Sequence, residues 1–231
     1  MSKKHLLCVL FGFLFFQGIT AQEKKDSLTL RFDFKFGNLP LELQKKYKTA
    51  SDTLEIDLMR FYLSNIQIAY EDASTFIEKN SYHLIDIETP NSWVIALDAY
   101  KNKKIKALTF AIGIDSTASV SGALSGVLDP SKGMYWAWQS GYINMKMEGK
   151  SNSCKTRNNR FQFHVGGYLQ PYCAWRTVEL HPKVSGTSLP IAVDLAELFS
   201  KIALSETNSI MIPGKRAIEM AEQSTKMFQV E

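Results

Sequence analysis

Beyond residue 21, three histidines, a tryptophan pair, a methionine pair and two cysteines carry whatever metal or redox chemistry this chain can perform. His83 sits in the run Tyr-His-Leu-Ile-Asp at 82–86, and on a strand it shares a face with Ile85 and Ile87. His164 sits in Phe-Gln-Phe-His-Val-Gly-Gly at 161–167. There Phe161, Phe163 and Val165 face one way, and Gln162 and His164 the other. His181 precedes Pro182 at a strand end. Imidazole is the commonest metal ligand, and two or three brought together across strands would suit copper or zinc. Gly166 and Gly167 would let backbone or a ligand approach closely. Taken singly, each histidine reads first as a satisfied structural or exposed residue and only second as a metal ligand.

The segment 133–149 is the most unusual in the chain. On a continuous strand, Met134, Trp136 and Trp138 share one face, and Met145 and Met147 share the other parity. One reading is an aromatic core face with methionine as filler. The other is a redox-active or ligand-facing tryptophan, Trp136 or Trp138, beside soft thioether sulfur that favours Cu(I). Cys154 and Cys173 form an even pair in a chain with an export signal, so a disulfide between them is expected, worth on the order of 3 kcal/mol. The alternative is two free or metal-bound thiols. No Gly-x-Ser-x-Gly, phosphate-cradling glycine loop or His-Glu-x-x-His is present, and no nucleophile–base pair stands out. The expectation is therefore a protein that is not an enzyme.

The elements that must position these residues read mostly as strands. Leu28, Leu30, Phe32, Phe34 and Phe36 alternate strictly with Thr29, Arg31, Asp33 and Lys35, a half-buried antiparallel strand. Further strands are expected over 54–70, 82–88, 105–115, 134–148, 160–165 and 175–180. Residues 116–132 are rich in Ser, Gly and Ala and read as a long ordered loop. Helix appears only late. Asp194 and Glu197 form a capping pair ahead of the stripe Leu195, Leu198, Phe199 and Ile202, and a second helix follows Pro213. Many short strands and then a little helix predict a mainly β fold: an antiparallel β-sandwich, Ig-like or jelly-roll-like, with short C-terminal helices.

The chain has 231 residues, 27 Lys plus Arg, 23 Asp plus Glu and a formal charge of +4. A basic start, an apolar run and the small-residue end Ile19-Thr20-Ala21 predict a signal peptide over 1–21, cleaved near Ala21. That leaves 22–231 as one expected domain, periplasmic or secreted, and removes Cys8. No later apolar stretch reaches membrane-spanning length, so no membrane span is expected. The near-neutral balance and the lack of a basic stripe argue against nucleic acid.

At these residues the sequence resembles the MbnP-like copper-binding protein family of the bacterial envelope. The matching pieces are Phe-Tyr-Leu-Ser-Asn-Ile at 61–66, Tyr-His-Leu-Ile-Asp at 82–86, Ile-Gly-Ile-Asp-Ser at 112–116, Gly-Val-Leu-Asp-Pro at 126–130, the segment 133–149 and Phe-His-Val-Gly-Gly at 163–167. The resemblance runs through nearly all of 22–231 in the same order. It implies an exported β-rich protein that binds copper as Cu(I) or Cu(II), for scavenging, storage or delivery. In that family histidines hold the metal together with a kynurenine made from tryptophan, and a diheme peroxidase-like partner makes the oxidation. Carried over, His83 and His164 are the implied ligands, and Trp136 or Trp138 the implied oxidised residue. The chain departs from the family pattern in lacking a Trp-x-His pair; Ser81 stands two residues before His83. The other reading is a β-sandwich interaction module of the same family that binds a partner protein, peptide or glycan without metal.

Overall fold

The structure, a computed structural model, describes residues 27–49, 52–99, 103–139, 141–183 and 186–230. The expected signal peptide lies outside the described residues. In chain order the strands are β1 (Leu28–Phe36), β2 (Leu39–Pro40), β3 (Lys46–Lys48), β4 (Thr53–Tyr70), β5 (Thr75–Ile77), β6 (Tyr82–Asp86), β7 (Val94–Leu97), β8 (Ile105–Ile112), β9 (Tyr135–Trp136), β10 (Gly141–Ser151), β11 (Arg160–Gly166), β12 (Arg176–Leu180), β13 (Ser188–Asp194), β14 (Ser209–Ile210) and β15 (Phe228–Gln229). Three short helices are α1 (Ser116–Val120), α2 (Leu195–Phe199) and α3 (Lys215–Ser224).

These strands form two sheets, as the alternation in the sequence requires. The smaller runs β15-β13-β1-β2, with β7 also on β1; the larger runs β12-β8-β4-β10-β11-β14, with β3, β5 and β6 on β4 and β9 on β10. The sandwich is mainly antiparallel, as expected, and two parallel pairings are added, β1 with β13 and β11 with β14. The inward residues of β1 are all buried and meet Phe61, Met145, Met147, Phe161 and Phe163 of the larger sheet in one core. Phe32 meets Phe110 edge-on at 6.4 Å between ring centres. Burial of rings of this size dominates the stabilisation of such a core.

Three features differ from the sequence reading. The long ordered loop 116–132 holds helical pieces not expected from sequence: Asp115 caps α1 through the Ala118 amide, and two 3₁₀ turns follow at Gly126–Leu128 and Pro130–Lys132. Tyrosine hydroxyls pin it down. Tyr62 donates to the Val127 carbonyl at 3.0 Å, and the Tyr142 hydroxyl accepts from the Leu124 amide at 3.0 Å. The loop thereby covers a second, smaller core of Tyr62, Ile114, Leu128, Met134, Trp136 and Tyr142.

The expected strand over 134–148 is two strands, β9 and β10, joined by a turn in which the Gln139 amide donates to the Trp136 carbonyl. Trp136 and Trp138 therefore do not share a strand face: Trp136 is 6% exposed and Trp138 64%.

The expected disulfide is absent. Cys154 and Cys173 are free thiols. Cys154 follows β10 where its end pairs with Arg160, and Cys173 lies in the loop that closes on Gly167. The length of β11, about 20 Å at some 3.3 Å per residue, separates them, whereas a disulfide needs Cα atoms within roughly 7 Å. Among the described residues no helix is long and apolar enough to cross a membrane.

Candidate functional site

His164 takes its position from β11. Its neighbours Phe163 and Val165 point into the core, so the imidazole faces the outer side of the larger sheet. Directly across β10 stands Lys146, and across β4 from Lys146 stands Arg60. The His164 Nε2 lies 2.9 Å from Glu148 Oε1. The same carboxylate receives Arg160 at 3.3 Å and Gln162 at 3.4 Å, and Lys146 lies 3.8 Å away. Burial lowers the His164 pKa below the ordinary histidine value; Glu148 pulls the other way, and the Lys146 charge adds to the lowering. Burial works to raise the Glu148 carboxyl, but the His164 and Gln162 hydrogen bonds and the Lys146 charge outweigh it and hold the group below its usual value.

His83 belongs to a different place. On β6 it is paired with Leu63, and its neighbour Ile85 with the core residue Phe61. By that register His83 lies on the inner side of the sheet and His164 on the outer. Between them run β4 and β10, so three strand spacings of about 4.8 Å each separate them across the sheet. The two implied copper ligands are not brought together. Among the described residues no group of three or more His, Cys, Asp or Glu side chains is placed to hold a metal ion. The residues thus do not fit one copper centre shared by both histidines.

What His83 does have is Glu78, with Nε2 2.9 Å from Oε2. Ser81 donates to the same carboxylate at 2.6 Å, and its oxygen accepts from the Ile66 amide at 2.9 Å. Burial opposes ionisation of Glu78, and the His83 and Ser81 hydrogen bonds more than reverse that effect. Glu78 also lines a cavity of about 430 Å³ with Ser81, Tyr82, Asp115 and Trp175. No lysine or arginine lines it. The Tyr82 hydroxyl donates to Asp115, and the phenol is pushed up to about 12, first by burial and then by that carboxylate. Sequence reading missed Glu78 and Asp115. Glu78 lies five residues from His83, beyond the reach of a strand-face pattern, and Asp115 reads there only as the end of a strand.

The remaining predicted residues are scattered. His181 is exposed, with Nε2 3.1 Å from its neighbour Glu179. Trp136 packs so tightly on β11 that a Cβ at Gly166 would lie 2.7 Å from its ring. Trp138 lies beside it, 5.9 Å between ring centres.

A two-sheet β domain with histidine–carboxylate pairs on separate faces of its larger sheet is the class that this geometry defines. The chain belongs to the MbnP family, whose model matches residues 25–212. Among solved structures it is similar to MbnP from Methylosinus trichosporium, at 14% identity with a TM-score of 0.61, over 82% of each chain. At that identity the likeness establishes the shared fold. A comparison with curated protein sequences finds no match.

Proposed function

We propose that this chain is an exported, non-catalytic copper-associated protein that scavenges, stores or delivers the ion, and that the ion binds at His83 and Glu78. Family membership supports the copper association. The observation that supports this place is electrostatic. Glu78 joins His83 to a cavity that also holds Asp115 and has no lysine or arginine in its lining, whereas the His164–Glu148 pair is hemmed in by Lys146 and Arg160. A cation is favoured beside uncompensated carboxylates and repelled by ammonium and guanidinium groups. One imidazole nitrogen and one carboxylate oxygen make a mixed donor pair that suits Cu(II) better than Cu(I). In this reading the function is coordination and release without turnover. Trp138 is the tryptophan open to an oxidising diheme peroxidase-like partner, because Trp136 is buried. The test is metal content and intact mass of the protein exported by its native host with copper supplied. Stoichiometric copper supports the reading, and metal-free protein under copper supplementation overturns it.

A second reading, an interaction module without metal, is favoured by one observation. Trp138, at the turn after β9, is 64% exposed.

A further inference from the structure

Three loops meet beyond the Gly166 end of β11: the turn after β9, the segment 167–174 and the segment 211–214. Between them lies a cavity of about 280 Å³ lined by Gln139, Tyr168, Leu169, Gln170, Tyr172 and Pro213. None of these side chains carries a formal charge at neutral pH. The side-chain carboxamides of Gln139 and Gln170 and the hydroxyls of Tyr168 and Tyr172 make no hydrogen bond to another described residue. Four residues with uncommitted hydrogen-bonding groups, two of them aromatic, thus border one small concavity whose wall is chiefly apolar.

The wall is built by sequence. Gly167 has φ +124°, and a Cβ there would lie 2.3 Å from the Tyr172 carbonyl oxygen. The Ala174 amide donates to the Gly167 carbonyl at 2.8 Å, so the loop closes on itself. On the other side a Cβ at Gly141 would press on the Tyr168 ring at 3.2 Å. Two glycines therefore let the tyrosine-bearing loop settle against the start of β10, which holds the rings in place ahead of any ligand.

This lining excludes most ligand classes. An anion or a cation finds no counter-charge. A purely apolar ligand would leave the amides and hydroxyls without partners, and displacing their water without replacing its hydrogen bonds loses affinity. A ligand with apolar CH faces and several neutral hydroxyls satisfies both halves. The volume is at the small end for small-molecule sites, which begin near about 300 Å³. We propose that this cavity is a binding site for a neutral saccharide. The Tyr168 and Tyr172 rings lie against the CH faces of a sugar ring, and the Gln139 and Gln170 amides bond its hydroxyls. The site shares no residue with the His83–Glu78 corner and does not depend on copper.

The experiment uses the full chain, metal-free and copper-supplemented. The probes are cellobiose, maltose and N,N′-diacetylchitobiose, with glucuronic acid as the charged control, read by saturation-transfer NMR and calorimetry. At least one neutral disaccharide binds, with a Kd of about 1 mM or tighter, and glucuronic acid binds more weakly. Tyr172→Ala weakens that binding about tenfold, and Tyr172→Phe, which keeps the ring, weakens it less. Tyr172 is a half-exposed loop residue, so both variants keep the melting temperature of the parent. No neutral disaccharide bound at about 10 mM would overturn the proposal. So would binding indifferent to Tyr172→Ala, or equal binding of the charged control.

Discussion

Glu148 Oε1 lies 2.9 Å from His164 Nε2, and Arg160 and Lys146 close on the same carboxylate. The carboxylate is the hub, and the imidazole is its most buried partner, 8% exposed. Folding therefore sets the protonation of this corner. Burial holds His164 below the ordinary histidine value of about 6.5. The unfolded chain takes up a proton at a pH where the folded chain does not. Stability from this group is complete above about pH 6.5 and is lost as pH falls through the folded value. Glu148 is also held low, and its contribution fades only below the unfolded carboxylate value of about 4.3. Denaturant unfolding at about pH 7.5 and 5.5 checks this on the parent and His164→Gln. The parent loses more stability on acidification than the variant; equal losses would contradict the assignment.

Gly166 marks where β11 admits the indole of Trp136. A Cβ there would lie 2.5 Å from the Tyr142 carbonyl oxygen and 2.7 Å from the Trp136 ring. Neither can give way easily, since one is strand backbone and the other a buried ring. Gly166→Ala is expected to cost about 1–3 kcal/mol, in the range of overpacked cores. It should also change tryptophan fluorescence, because the displaced group is a fluorophore. An unchanged denaturation midpoint and spectrum would mean that the contact is looser than the structure shows.

The free thiols differ in access. Cys154 is 2% exposed, and burial raises its thiol pKa. Cys173 is only partly buried. Alkylation of the native protein should label Cys173 and spare Cys154, and denaturation should expose both. An intact mass two hydrogens short, with no thiol reacting after denaturation, would restore the disulfide.

Asp115 serves two elements at once. Its Oδ1 accepts from the Ala118 amide at 2.9 Å, capping α1, and its other oxygen accepts from the Tyr82 hydroxyl. Asp115→Ala should cost about 1 kcal/mol through the lost cap. It should also lower the Tyr82 phenol pKa, which the carboxylate helps to raise. Ultraviolet titration of tyrosine reads the second effect, and an unchanged curve would break the link between Asp115 and Tyr82.

Much of the fold is legible in the sequence because alternation is a local signal. Leu28 to Phe36 write out their own strand and face, α2 announces itself by the Asp194 cap and an apolar stripe, and α3 by the proline ahead of it. β13 carries the same alternation in Leu189, Ile191 and Val193, but a proline inside it argues against a strand. Its residues Ser188–Asp194 include Pro190, and the strand is fixed by parallel pairing with β1, a contact from far along the chain. The turn between Trp136 and Gly141 is only weakly marked. Gln139, Ser140 and Gly141 break the apolar alternation there and its parity changes beyond them, a short turn signal inside a long apolar segment, and the hairpin buries Tyr62 and Tyr142 in the small outer core. The histidines were legible as residues but not as a pair. Strand order decides which ones meet, and here β4 and β10 stand between them.

The most direct test of the account is a copper titration of His83→Ala and His164→Ala beside the parent, followed by calorimetry and by Cu(II) electron paramagnetic resonance. The account predicts that His164→Ala keeps the parent's affinity and single-nitrogen coordination, and that His83→Ala abolishes both. Loss on His164→Ala with retention on His83→Ala, or a two-nitrogen signal that needs both histidines, would contradict it.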